Sequence, residues 1–272
     1  MVAQVDTTAA TALQFNDETA RRIEAMYLHP DMIERRRRVR QALALAPGER
    51  VVDVGCGPGF LTGEITADVG ANGWVCGFDL SESMLAQARA RGAGLAGAAW
   101  LDFRQGDATA LPFPDASFDA AVVTQVYEYV ADLPTALAEL HRVLRPGGRA
   151  VIVDTDWDSI VWHTADDDRT ARILAAWDEH LTDPHLPRRL RPLLQRAGFA
   201  VQRVETITTV NLAFAGYSQG LAGLVAAFVV GRRGVTQQEV DAWLADLRRL
   251  DTEDGYFFSL DQHLFLATKP NA

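Results

Sequence analysis

Val51-Val52-Asp53-Val54-Gly55-Cys56-Gly57-Pro58-Gly59, followed by Phe60-Leu61-Thr62, is the stretch whose reading decides the fold. A near-continuous β-branched run suits a strand buried on both faces of a parallel sheet. Glycine then recurs at alternate positions, where a chain leaving a strand must turn sharply and admit a ligand to its backbone. From Phe60 onward Phe60, Leu61 and Ile65 have the spacing of a helix whose N-terminus points at that ligand. Strand, glycine turn and helix predict the nucleotide-binding corner of a doubly wound α/β sheet.

The spacing is Gly-x-Gly-x-Gly, and Phe60 stands where a dinucleotide site wants its last glycine. Asp53 at the strand end would repel a diphosphate, and a cationic ligand suits it better. Asp79 closes a second expected strand, Trp74 to Phe78, at a place where a carboxylate can accept from both ribose hydroxyls.

With these residues in place, the chain resembles the class I S-adenosylmethionine (SAM) dependent methyltransferases. Val52 to Gly59 reads like their first motif, and Leu111-Pro112-Phe113-Pro114-Asp115-Ala116-Ser117-Phe118-Asp119 matches a later one. The resemblance covers residues 51–154 and is closest to the branch acting on small molecules, which includes quinone and natural-product methyltransferases. It implies SAM as cofactor, an adenine contact at Asp107, and a methyl-transfer face beginning at Gln125-Val126-Tyr127-Glu128-Tyr129. The implied cofactor set is Tyr27, Asp53, Gly55, Cys56, Gly57, Gly59, Asp79, Leu80, Met84, Asp107, Ala108 and Gln125. Tyr127 contacts the acceptor or simply packs. His163 is a base or acceptor contact, or else an ordinary surface or core histidine. Cys56 reads as a small loop-filling residue rather than a nucleophile.

The expected architecture is a Rossmann-like, doubly wound, mostly parallel seven-stranded sheet with a helical cap. Residues 1–50 read as N-terminal helices and 51–154 as the SAM-binding core. Residues 187–210 give a core helix and strand, and 256–272 the last core strand and tail. The segments 155–186 and 211–255 make the cap, and its residues Trp157, Trp162, Trp177, Phe214 and Tyr217 predict an apolar or aromatic acceptor. Arg145-Pro146-Gly147-Gly148 reads as a turn closing a helix over Asp132 to Leu144. Arg35 to Arg38 reads as a solvated helix face.

Composition narrows the function classes. The net charge of −10 argues against a nucleic-acid binder. Leu221 to Val230, the longest apolar stretch, is about half of what a membrane span requires. Two cysteines give neither metal spacing nor a disulfide framework, which suits a reducing cytoplasm. Asp166-Asp167-Asp168 is read as a helix N-terminus, not a metal site, and no metal is expected. The partner expected is a small-molecule acceptor, with a monomer or homodimer as the assembly. Two rival readings stand beside methyl transfer: a non-catalytic SAM-binding protein, and a nicotinamide-dependent oxidoreductase, which the glycine spacing and Asp53 disfavour.

Overall fold

In the computed structural model, residues 26–271 are described. The first part of the expected N-terminal helical segment, residues 1–25, therefore lies outside the described residues. The chain divides into two compact units: one of residues 30–156, 185–207 and 261–272, and one containing 157–184 and 208–260 together with 26–29 of the N-terminal segment. From residue 30 onward the expected separate N-terminal piece is part of the first unit, because its helix contributes core.

The first unit is built on parallel strands β1 (Arg50–Val54), β2 (Trp74–Asp79), β3 (Leu101–Gln105), β4 (Phe118–Thr124) and β5 (Leu144–Thr155), in the order β3-β2-β1-β4-β5. The final strand of the chain, Phe258–Thr268, runs antiparallel to β5, with Gln262 to Thr268 opposite Thr155 to Arg149. The strand Ala200–Asn211 pairs with that final strand. Successive side chains of a strand face opposite sides of the sheet, so one run of valines feeds two cores. Val51, Val75 and Val122 pack with Val39 and Leu43 of α1 (Pro30–Leu43) and with Ile65 and Val69 of α2 (Phe60–Val69). Val52, Val54 and Phe78 pack on the other side with Leu137 and Leu140 of helix α4 (Leu133–Val143) and Leu190 and Leu194 of α6 (Pro187–Arg196). Between them in sequence lie α3 (Glu82–Gly92), capped by Ser81, and α5 (Asp167–Trp177), capped by Asp166. The sheet is the mostly parallel one expected.

Two local expectations are corrected. Arg145 to Gly148 does not leave the sheet: β5 starts at Leu144 opposite Phe118 and resumes at Arg149 opposite Ala120, so these four residues form a bulge. Gly147, at φ +75°, donates its N–H to Lys269 O, and Lys269 N–H donates to Gly148 O, which stitches the bulge to the end of the chain. The Lys269 ammonium donates to His141 O and Leu144 O, both at 2.8 Å, satisfying carbonyls that the end of α4 leaves open. The Arg35–Arg38 run is likewise only half solvated. Arg36 is 5% exposed, donates to Glu64 at 2.8 Å, and lies 5.2 Å from the Phe60 ring centroid. Its long stem and paired head make burial tolerable.

The second unit holds α5, α7 (Gly216–Val229) and α8 (Gln237–Thr252), the last opened by a reciprocal Thr236–Glu239 capping box. The two-residue strand β6 (Val161–Trp162), absent from the sequence expectation, pairs with Ser259 and Phe258, the start of the final strand. With Ala200–Asn211 as β7 and Phe258–Thr268 as β8, eight strands are present among the described residues. The aromatic residues of this unit are its own core. Trp157, Trp177, Phe228 and His180 pack edge-on and tilted against one another, and Trp162 lies between Trp243 and Phe258. Trp162 Nε1 donates to the Tyr256 hydroxyl at 2.8 Å. All five aromatics from which an apolar acceptor was read are buried. They are spent on packing and carry no information about a ligand. Gly216 and Gly220 on α7 receive His29 and Met26 in place of a Cβ.

Candidate functional site

The site is assembled at the carboxyl ends of β1, β2 and β4. Gly55, Gly57 and Gly59 adopt φ of +73°, +52° and +77°, conformations that side chains resist. Space forbids a side chain as well. A Cβ on Gly55 would lie 2.0 Å from Val126 Cγ2, and one on Gly59 would lie 2.8 Å from Ala88 Cβ. The loop is tied to the neighbouring strand: Gly55 and Cys56 N–H groups both donate to Phe78 O, at 2.7 and 3.1 Å.

Asp79 closes this arrangement. One carboxylate oxygen accepts from Gly57 N–H and the other from Ser81 N–H, both at 2.8 Å. Burial raises its pKa, and these N–H bonds, together with one from Leu80, oppose the rise. Each oxygen keeps a further lone pair for a hydroxyl donor. Leu80, immediately after it, is 67% exposed. Met84 is buried one turn into α3. Gly106 N–H donates to Asp79 O, which brings the β3 exit alongside. There Asp107 is exposed, and its carboxylate accepts from Thr109 N–H and Oγ1, which hold its pKa below the usual value. Ala108 packs on the core.

Asp53 lies beneath the loop. Its Oδ2 accepts from Thr62 Oγ1 at 2.6 Å, while Oδ1 is buried with no hydrogen-bond partner. Burial pushes this carboxyl up to about 7, against the Thr62 hydrogen bond and with help from the nearby Asp79 charge. A buried half-satisfied carboxylate is costly unless a cation or donor completes it. Cys56 is buried, its thiol pushed up by burial and by the Asp53 and Asp79 charges, so it is no nucleophile at neutral pH.

Past β4, Gln125 takes φ +56° and donates its N–H to Val153 O at 2.7 Å. Its side chain bonds Glu128, Thr155 and Gln262, all three buried. Tyr127, read as an acceptor contact or a packing residue, is buried. It is 1% exposed, sits among Leu133, Leu137 and the β4 and β5 side chains, and burial raises its hydroxyl pKa. The short helical turn 127–129 instead leaves Tyr129 exposed. Tyr27 and His163 fall in the other unit. Tyr27 is half-buried, and His163 is exposed, with its N–H on Phe257 O.

The partners of Gln125 were missed from sequence. One signal was available: along β8 Leu260, Gln262 and Leu264 alternate inward, so a polar residue at an apolar position marked a buried network.

A glycine loop on the first strand and a carboxylate on the second meet at one edge of the sheet, with Arg91 donating to Pro58 O of the loop. Residues 52–152 match the family described as methyltransferase domain. The chain carries that domain over these residues. It is 47% identical over 111 residues to 2-phytyl-1,4-naphtoquinone methyltransferase of Synechococcus elongatus, covering 41% of this chain and 48% of that protein. It is 36% identical over 172 residues to O-methyltransferase cnsE of Penicillium expansum, covering 63% and 59%. The chain thus spans about half the length of the curated relatives it matches. In fold it is similar to Haemonchus contortus phosphoethanolamine N-methyltransferase 2 in complex with S-adenosyl-L-methionine. That structure has a TM-score of 0.61 and 18% identity, over 95% of this chain and 58% of that one. Among the described residues, no helix is long and apolar enough to cross a membrane.

Proposed function

We propose that this chain binds SAM at the glycine loop of its sheet unit and transfers the methyl group to a small acceptor of quinone or phenol type. The observation that carries the reading is the Gly57–Asp79 closure above the half-satisfied Asp53 carboxylate. The residues fit a sulfonium ligand: three glycines without a Cβ let it approach the loop backbone, and the uncompensated carboxylate beneath favours a positive charge. In this reading Asp79 accepts from the ribose hydroxyls, while Asp107 accepts from the adenine amino group. Exposed Leu80, with Met84 and Ala108, covers the adenine faces. The backbone of Gly55, Cys56 and Gly57, together with Gln125, borders the methionine end.

Bound there, SAM supplies a methyl group already activated by a positively charged sulfur. What remains for the protein is alignment and exclusion of water, which account for most of the acceleration in such displacements. No triad is needed, which fits a site whose nearest thiol and phenol, Cys56 and Tyr127, are buried with raised pKa values. The class of acceptor follows from the quinone and O-methyltransferase relatives, not from the aromatic residues of the second unit.

The test has two stages. A thermal-shift comparison should show stabilisation by SAM and none by NAD. Incubation with SAM and a panel of hydroquinones, phenols and amines, read by mass, should then show a gain of one methyl group. Stabilisation by NAD alone would favour the oxidoreductase reading. SAM binding with no methylated product across the panel would favour the non-catalytic one.

A further inference from the structure

We infer that Thr155 and Gln262 are positioning residues that lock Gln125 in its left-handed backbone conformation and thereby hold Val126 against the glycine loop. The inference deepens the SAM reading above and rests on it.

The starting observation is the backbone of Gln125, at φ +56° without being glycine. For an L residue with a side chain that region is disfavoured, and it persists where surrounding contacts over-determine it. Here they do. Gln125 N–H is held by Val153 O. Its Oε1 accepts from Thr155 Oγ1 at 2.8 Å and from Gln262 Nε2, and its Nε2 donates to Glu128 Oε1 at 2.7 Å. Thr155 and Gln262 are direct partners across the β5–β8 ladder, and Gln262 Nε2 also reaches Thr155 Oγ1 at 3.2 Å. Two neighbouring strands therefore present a preformed pair of donors to one amide oxygen.

The next link is steric. Val126 follows Gln125, its N–H donates to Asp154 Oδ1 at 3.2 Å, and its methyl group occupies the space a Gly55 side chain would need. Rotating Gln125 out of the left-handed region would swing Val126 off Gly55. Gly55 and Cys56 share the Phe78 carbonyl, and Gly57 reaches Asp79, so the shift would reach the groups placed on the ribose. A buried polar network of this kind sets geometry more than stability, since apolar residues of equal volume could fill the same space.

The test is calorimetric titration of the full chain with SAM, with Tm measured alongside. Gln262→Leu keeps volume and removes the amide that donates to Gln125 and Thr155; the SAM Kd should rise at least tenfold. Thr155→Val should raise it by a smaller factor, and it serves where Gln262→Leu does not fold. Glycine adopts φ +56° unaided, so in a Gln125→Gly background Gln262→Leu should change Kd less than twofold. A lower Tm with wild-type SAM affinity in both variants would reduce the pair to core packing and overturn the inference. So would the same factor in both backgrounds. Absence of SAM binding by the unmodified chain would show a different failure, that of the cofactor reading itself, and this inference would fall with it.

Discussion

The two units reach their folded state by opposite routes. The sheet unit draws its strands β1 to β5 and their helices from one run, residues 30–156, and local signals decide most of it. The helical unit gathers 157–184 and 208–260 around a cluster of tryptophans that no local pattern brings together. The sheet unit keeps buried carboxylates at strand ends; the helical unit buries a histidine among aromatic rings.

The largest expected effect strikes the sheet unit. Gly55→Ala places a methyl group within 2.0 Å of Val126 at a positive φ. It should cost about 3 kcal/mol or more from overpacking and strain together, visible as a lower midpoint in urea and as loss of SAM binding. Full stability and binding would show that the loop and Val126 are not interlocked.

Next comes an acid test of the helical unit. His180 is 4% exposed, and burial pushes its pKa down to about 4, against the hydrogen bond to Trp177 O. The folded form therefore binds a proton less readily than the unfolded form. Stability from this group is intact above about 6.5, falls as pH drops to about 4, and is level below that. The loss is about 3 kcal/mol by linkage. His180→Gln should flatten this part of the stability curve measured by urea unfolding at stepped pH. An unchanged slope would mean the histidine titrates alike in the folded and unfolded chain.

Asp79→Ala removes the acceptor proposed for two ribose hydroxyls, each charge-assisted bond being worth about 1.5–3 kcal/mol before compensation. SAM affinity by calorimetry should fall at least tenfold with the helical unit untouched; unchanged affinity removes Asp79 from the ribose.

The smallest effect separates cofactor from product. Ionised Asp53 attracts the sulfonium of SAM but has no such attraction for neutral S-adenosylhomocysteine. Its carboxyl sits at about 7, so the SAM-to-product affinity ratio should rise several-fold from pH 6 to 8. Asp53→Asn should abolish the rise. A ratio independent of pH in the unmodified chain would place the sulfonium out of reach of this carboxylate.

Much of the sheet unit was legible because each element carried its own signal. Ser81 and Asp132 announce helix starts by capping chemistry, and Asp79 is placed by its distance from the glycines. What stayed hidden depended on partners remote in sequence. Residues 145–148 look like a turn until Lys269 pairs with them. Tyr127 shares its short turn with exposed Tyr129, and only the packing of α4 decides which ring goes inward. Arg36 reads as one of four surface arginines until Glu64 and Phe60 are placed beside it. In the helical unit the aromatic residues suggested a binding surface, because composition cannot tell a ring that meets a ligand from one that meets another ring.

Lys269 is the sole lysine in this sequence, among twenty-six lysines and arginines. All its side-chain amine does is clasp two carbonyls at the foot of α4, close to the end of the chain. Amine-directed reagents such as succinimidyl esters thus find one internal target, and that target is shielded for as long as the final strand stays docked. The rate at which it is acylated is a clock for the opening of that strand, readable on a single peptide without any engineered label.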